Sequence, residues 1–298
     1  MDPITPHLWL DGTAEDTARF HVDTFPESRI RRITRYDPAS AEVSGQPEGS
    51  VMTVSYELNG QPFVALNGGP AFRLTPAISF FVSSDTDRVV DRLFETLSED
   101  GEILMPLQEY PFSEKYGWVN DRFGVSWQLN FAPGPMTIAP SLMFVGDRHG
   151  RAEEAIRFYA SLFEDSRVAV VERYGPGEID PAEGTLKQGE FFLRGRPFRA
   201  MDSSFDHDFG FTEAVSFLVP CADQAEVDRF WSAFTAGGEE SRCGWLKDGY
   251  GVSWQIVPRR LLDMLQDEDT ERALRVTEAM LGMGKLDLGR LEEAYGEG

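Results

Sequence analysis

Residues 117–129 read GWVNDRFGVSWQL, and residues 244–256 read GWLKDGYGVSWQI. Eight of the thirteen positions are identical, which establishes an internal duplication. Each copy has the form of a turn feeding a strand. Asp121 with Gly124, and Asp248 with Gly251, supply turn residues, and the Val-Ser-Trp-Gln that follows alternates with the period of a pleated strand. Ser126 and Gln128 therefore share one strand face and Trp127 takes the other, as do Ser253, Gln255 and Trp254 in the second copy. A polar pair on such a face suits a half-polar cavity or a solvated sheet surface, and the period alone does not choose.

The rest of the chain repeats around this motif. Residues 4–10 alternate as a strand, and Asp11-Gly12 leads into a helix with Thr13 as N-cap and Ala14, Ala18, His21, Val22 and Phe25 as its buried stripe. A strand over 29–36 is followed by a loop rich in Pro, Ser and Gly up to Gly49, and residues 51–66 form a hairpin turned by Asn59-Gly60. The same βαβββ order returns at once, with a strand over 77–82, a helix over 85–97 and strands over 101–107 and 118–130. Pro133-Gly134-Pro135 then resists regular structure and reads as a linker.

After the linker the scheme restarts. Phe20 and Phe25 return as Phe158 and Phe163 at an offset of 138, and Leu58, Gly60, Pro62 and Phe63 return as Leu193, Gly195, Pro197 and Phe198 at an offset of 135. The closing motif returns at an offset of 127, so the second half lacks about ten residues that the first half carries within 106–116, PLQEYPFSEKY. Such an insertion is either a lid or pocket wall, or a surface excursion. Its Glu109 and Glu114 would serve as acid or base only if buried, and as solvated carboxylates otherwise. The domains are thus 1–132, a linker at 133–137, 138–258, and a helical extension at 259–298. Leu261, Leu262, Leu265, Val276, Met280, Leu281, Leu288 and Leu291 give that extension an apolar face, to be buried on its own domain or on a second chain.

Composition narrows the function. The 298 residues are 41% hydrophobic with 22 Phe and 6 Trp, enough for two globular cores. Net charge is −22, and only 4 of the 28 basic residues are Lys, so nucleic acid and anionic membranes are not expected partners. Cys221 and Cys243 show no spacing for zinc, redox chemistry or a disulfide framework. The opening MDPITPHLWLDG has no basic region followed by an apolar run, and no segment approaches the ~20 apolar residues of a membrane span, so a cytoplasmic protein is expected.

The opening ITPHLWLDGTAEDTARFHVDTFPESRI, the ELNGQPFVALNGGP hairpin, the AISFFV strand and the GWVNDRFGVSWQL close resemble the PhnB-like branch of the vicinal oxygen chelate superfamily, which includes glyoxalase I, bleomycin resistance proteins and extradiol dioxygenases. The likeness covers nearly the whole chain, twice over. It implies an α+β fold of two open-barrel domains, each curled from two βαβββ units. The branch often carries the label 3-demethylubiquinone-9 3-methyltransferase. No strand, Gly-rich turn and helix with a downstream acid for an adenosyl cofactor is visible in this sequence, so the label is treated as a name.

In the superfamily a divalent metal is held by the first and last strands of each unit. Carried over to the first half, those positions are His7, the neighbourhood of Ala65 and Asn67, Ser79 and Gln128; in the second half they are Ser141, Ala200 with Asp202, Ser216 and Gln255. A divalent ion wants imidazole or carboxylate, because amides and hydroxyls offset too little of its lost hydration. One imidazole in the first half and one carboxylate in the second do not make a clamp. No cofactor is therefore expected, and a metal held through His7 and Gln128 is the alternative.

Three functions follow from these residues. The first is non-metal binding of an apolar or aromatic small molecule in the barrel of the first half, walled by Trp9, Phe63, Phe81 and Trp118 and oriented by His7, Asn67, Ser79 and Gln128. Ser141, Asp202, Ser216 and Gln255 would mark a degenerate copy in the second half. The second is a metal-dependent lyase, isomerase or dioxygenase. The third is a structural protein with filled barrels. Pairing of the halves mimics the dimers common in the superfamily, so a monomer or a homodimer is expected.

Overall fold

The computed structural model describes residues 2–178 and 182–296. The first unit runs β1 (Thr5–Leu10), α1 (Ala14–Thr24), β2 (Arg29–Arg35), α2 (Pro38–Ser44), β3 (Val51–Leu58) and β4 (Gln61–Asn67). The second runs β5 (Ile78–Ser84), α3 (Asp87–Ser98), β6 (Glu102–Tyr110), β7 (Ser113–Asn120) and β8 (Ser126–Phe131). The third runs β9 (Thr137–Phe144), α4 (Ala152–Leu162), β10 (Arg167–Arg173), β11 (Leu186–Leu193) and β12 (Arg196–Asp202). The fourth runs β13 (Val215–Cys221), α5 (Gln224–Thr235), β14 (Glu239–Glu240), β15 (Trp245–Lys247) and β16 (Ser253–Pro258), and α6 (Arg259–Met264), α7 (Thr270–Leu281) and α8 (Leu288–Gly296) follow.

The hairpin of β3 and β4 forms as its Asn-Gly pair dictates, with φ of 44° at Asn59 and 78° at Gly60. One local expectation is corrected. The Pro-rich stretch after β2 is not all loop. Asp37 and Ser40 close a reciprocal capping box there, and Pro38 at the first turn helps to start α2. Residues 106–116, open in sequence between a lid or pocket wall and a surface excursion, belong to the β6–β7 hairpin with Phe112 near its tip.

The strands form two eight-stranded sheets, ordered β14-β15-β16-β13-β1-β4-β3-β2 and β10-β11-β12-β9-β5-β8-β7-β6. The first sheet joins units one and four, and the second joins units two and three. The seams are antiparallel pairings of first strands, with His7 opposite Ser216 on β1 and β13 and Ser79 opposite Ser141 on β5 and β9. Each barrel is therefore built from both halves, where the sequence implied one barrel per half. Strand periodicity states which face a residue takes but not which strand lies alongside.

The two sheets meet through their inner faces. Phe63 on β4 packs edge-on against Phe80 on β5, with centroids 4.8 Å apart, and Phe198 on β12 does the same against Phe217 on β13 at 5.5 Å. The helices flank this shared core, and alternation leaves the other sheet faces pointing outward as two troughs.

The repeated motif locks each half across both sheets. Asp121 Oδ1 accepts the backbone N–H groups of Phe123 and Val125, while its Oδ2 accepts Trp127 Nε1–H at 2.9 Å and lies 2.7 Å from His21 Nε2 on α1. In the second half Asp248 accepts Tyr250 and Val252 N–H groups, Trp254 Nε1–H at 2.8 Å and Tyr159 Oη–H at 2.7 Å. His21 on α1 and Tyr159 on α4 thus occupy the same role in the two halves. Replacing Asp248 by Ala strands four buried donors, and is expected to cost roughly 3–5 kcal/mol in urea unfolding, with Asp248→Asn costing about half as much.

Candidate functional site

Alternation on the strands distributes the sequence-predicted residues. Leu8 and Leu10 on β1 join the core, so His7 and Trp9 face the first trough; Phe217 and Trp254 likewise leave Ser216 and Gln255 on that face. In the second sheet, Phe80, Trp127 and Leu142 are core, and Ser79, Phe81, Gln128 and Ser141 face the second trough together with Trp118 on β7. The candidates of the first half are therefore split, and each trough combines residues from both halves.

Three candidates lie on the core side instead. Phe63 is wholly buried there. Asn67 Oδ1 accepts Ala14 N–H at 2.8 Å and its Nδ2 donates to Val51 O at 2.9 Å, so Asn67 caps α1, a role the sequence gave to Thr13. Asp202 accepts the N–H groups of Gly150, Ala152 and Leu186 and does the same for α4. Burial pushes the Asp202 carboxyl up, against those backbone hydrogen bonds. The recurrence of a short polar residue at the end of β4 and β12 was the signal for this helix-holding role.

The second trough holds a connected polar chain. Tyr116 Oη–H donates to Gln128 Oε1 at 2.8 Å, and Gln128 Nε2–H donates to Ser79 Oγ at 2.7 Å. Burial pushes the Tyr116 phenol up, so it remains a neutral donor. Trp118 Nε1–H donates to Ser126 Oγ at 2.8 Å beside this chain. Around it stand Tyr110 and Phe112, with centroids 5.8 and 5.1 Å from Tyr116. Arg199 on β12 reaches over the Phe81 ring at 3.7 Å and pairs with Glu190. The sequence reading missed Tyr116 and Arg199, because both owe their place to register rather than to the repeated motif.

The first trough is roofed at one end. Leu218 and Val257 on its face pack with Leu261, Met264, Val276, Met283, Leu286 and Leu291 of the C-terminal helices. Arg32 on β2 donates to Gln266, so the arm spans from β16 to the far edge of the sheet. His7 lies on the trough floor, where burial pushes its imidazole down to about 3. It makes no side-chain hydrogen bond among the described residues. Recesses of about 560 Å³, beside Phe25, Ser28 and Glu57, and about 430 Å³, beside Arg194, Glu226 and Arg229, lie elsewhere, and no sequence-predicted residue lines them.

A divalent metal does not fit either trough. At the superfamily positions the second sheet presents Ser79, Gln128 and Ser141, with the Arg199 cation on its remaining strand. The first presents His7, Ser216 and Gln255, with Val64 and Leu66 facing the trough on β4. Among the described residues no three His, Cys, Asp or Glu side chains converge.

A family model for 3-demethylubiquinone-9 3-methyltransferase matches residues 2–130 and again 136–257. The chain is 41% identical to a structure described as a putative 3-demethylubiquinone-9 3-methyltransferase, PhnB protein, from Bacillus cereus, over 44% of this chain and 100% of that one, with a TM-score of 0.40. It is 24% identical over 139 residues to Protein YjdN of Escherichia coli (strain K12), which is 43% of this chain and 94% of that protein. Glyoxalase I from Zea mays aligns at 10% identity over 89% of this chain and 95% of its own, with a TM-score of 0.56, a likeness of fold alone.

His7 gives a pH signature. Its folded value of about 3 lies below the ordinary value near 6.5, so between those limits the unfolded chain binds more protons and stability falls as pH falls. The wild type is expected to lose about 2 kcal/mol more than His7→Gln between pH 6.5 and 4, a figure discounted for the partial solvent access of the ring, as read by urea unfolding across that range.

Proposed function

The chain belongs to the 3-demethylubiquinone-9 3-methyltransferase family, with the vicinal oxygen chelate fold in tandem, and we propose that it works by non-metal binding of a small aromatic molecule in the second trough. One observation carries the reading. The Tyr116–Gln128–Ser79 chain is complete without a ligand, and it lies between aromatic side chains with the Arg199 guanidinium at a position where a metal clamp would need a donor. A metal-free polar row under aromatic walls binds by shape and a few oriented hydrogen bonds.

The role of each residue follows from the hydrogen bonding. Tyr116 fixes the amide of Gln128, Gln128 fixes Ser79 as an acceptor, and the Ser79 hydroxyl keeps its own proton to offer to a ligand oxygen. Phe81, Trp118, Tyr110 and Phe112 supply the apolar contact. Ser141, from the other half, faces Ser79 across the seam and adds a second hydroxyl. Methyl transfer is not proposed, because nothing in this row activates a methyl donor.

We also propose a cytoplasmic monomer. The pairing of first strands across halves supports it, since it supplies within one chain what a dimer would otherwise supply, and no helix among the described residues is long and apolar enough to cross a membrane.

Two measurements test this reading. 1-Naphthol is expected to raise the melting temperature of protein stripped with chelator, and Gln128→Leu or Tyr116→Phe to weaken its binding about tenfold, equivalent to one lost hydrogen bond. Stabilisation by Mn, Ni or Zn with no response to 1-naphthol would refute the non-metal reading. Light scattering is expected to give the mass of one chain, and a two-chain mass would refute the monomer.

A further inference from the structure

Among the hydrogen bonds in which corresponding residues of the two sheets differ, one leaves a buried group unpaired. In the second trough Ser126 Oγ accepts Trp118 Nε1–H. The corresponding pair in the first trough is Ser253 and Trp245, and there the bond is missing. Trp245 turns instead to pack edge-on against Trp9, with centroids 6.0 Å apart and planes at 87°. Ser253, only 1% exposed, is left with a buried hydroxyl that has no partner.

Other groups around that hydroxyl are also available. His7, Ser216 and Ser253 stand in one row across three neighbouring strands. Gln255 Nε2–H donates to Ser216 Oγ at 2.9 Å, which leaves Gln255 Oε1 as an acceptor facing the same trough. Trp9 Nε1–H is already given to Gly69 O at 2.8 Å, and Phe72 packs against Trp9 at 5.0 Å, so this wall is apolar. A buried unpaired hydroxyl is destabilising, and native interiors relieve that cost with water or a ligand.

We infer that the first trough is a second binding chamber, roofed by the C-terminal arm, for an uncharged planar molecule of single-ring size that presents both a hydrogen-bond acceptor and a donor. The acceptor takes the Ser253 hydroxyl and the Trp245 indole N–H; the donor goes to His7 or to Gln255 Oε1. Its charge follows from the neighbours. Among the described residues, Lys247 is paired with Glu213 at 2.8 Å, Glu57 with Arg29 and Arg31, and Arg32 at the far edge is engaged by the Gln266 amide, so the charges named on this face already have partners. His7 stays neutral over the physiological range and adds none. The chamber does not depend on binding in the second trough, since the two share no residue.

Benzamide is the probe, with benzoate and benzamidinium as charged controls, and the readout is the indole N–H resonances of the full-length protein. Benzamide is expected to shift Trp245 while Trp118 stays in place, and the charged analogues are expected to leave both unmoved. Ser253→Ala and His7→Leu are each expected to weaken benzamide about tenfold. Ser253→Ala removes a group with no protein partner, so its melting temperature is expected to match or exceed that of the wild type. If His7→Leu fails to fold, Trp245→Phe replaces it, because it removes the indole N–H while keeping an aromatic ring beside Trp9, with Trp9 as the reporting resonance. The inference is overturned if benzamide leaves Trp245 unmoved at millimolar concentration, if benzoate or benzamidinium binds as well, or if the variants bind benzamide unchanged, in which case the row holds water only.

Discussion

Antiparallel pairing of first strands between the halves is the constraint on which the rest of this structure depends. β1 lies beside β13 and β5 beside β9, so neither half owns a complete sheet. Each trough is then assembled from both halves, with Ser216 beside His7 in the first and Ser141 beside Ser79 in the second. The helix layer works in the other direction. Asp121 ties α1 of the first unit to the turn of the second, and Asp248 does the same for α4 and the fourth unit. Strand seams join the halves, while aspartate clamps hold each half together.

This division explains what the sequence disclosed. The repeat, the four units, the Asn59-Gly60 hairpin and the face taken by Trp127 or Gln128 are local properties, set by periodicity and turn chemistry within a few residues. The partner of a strand is not local. His7 and Gln128 were read together because they lie in one half, yet they face different troughs. Asn67 and Asp202 were assigned to a cavity because superfamily ligands come from that strand, whereas a short polar side chain at the end of β4 or β12 meets the unpaired N–H groups at a helix start. The His21–Asp121 contact joins positions a hundred residues apart, and only the recurrence of Asp-x-x-Gly-Val-Ser-Trp hinted that the aspartate had a buried partner.

The two troughs show how a duplicated scaffold diverges while keeping its strand order. Both keep a Gln whose amide N–H donates to a Ser on the neighbouring strand. In the second trough Tyr116 completes that network and aromatic side chains surround it; at the matching position in the first trough stands Cys243, whose N–H is taken by Met283 of the arm. The arm buries its apolar face against Leu218 and Val257, and this settles where the amphipathic extension docks. Divergence has therefore acted mostly on what covers and satisfies each polar row, with His7 in one row where Ser141 stands in the other.

The seams also fix what the short segment between β8 and β9 is for. It contributes no strand to either sheet, and its attachment to the body includes Met136 O accepting from Asn59 Nδ2 at 2.7 Å. Since the contacts that join the halves are inter-strand ladders, the tether acts by keeping the two pieces at high effective concentration. Two separately made halves would present complementary open edges, and their association would then become a bimolecular equilibrium sensitive to dilution.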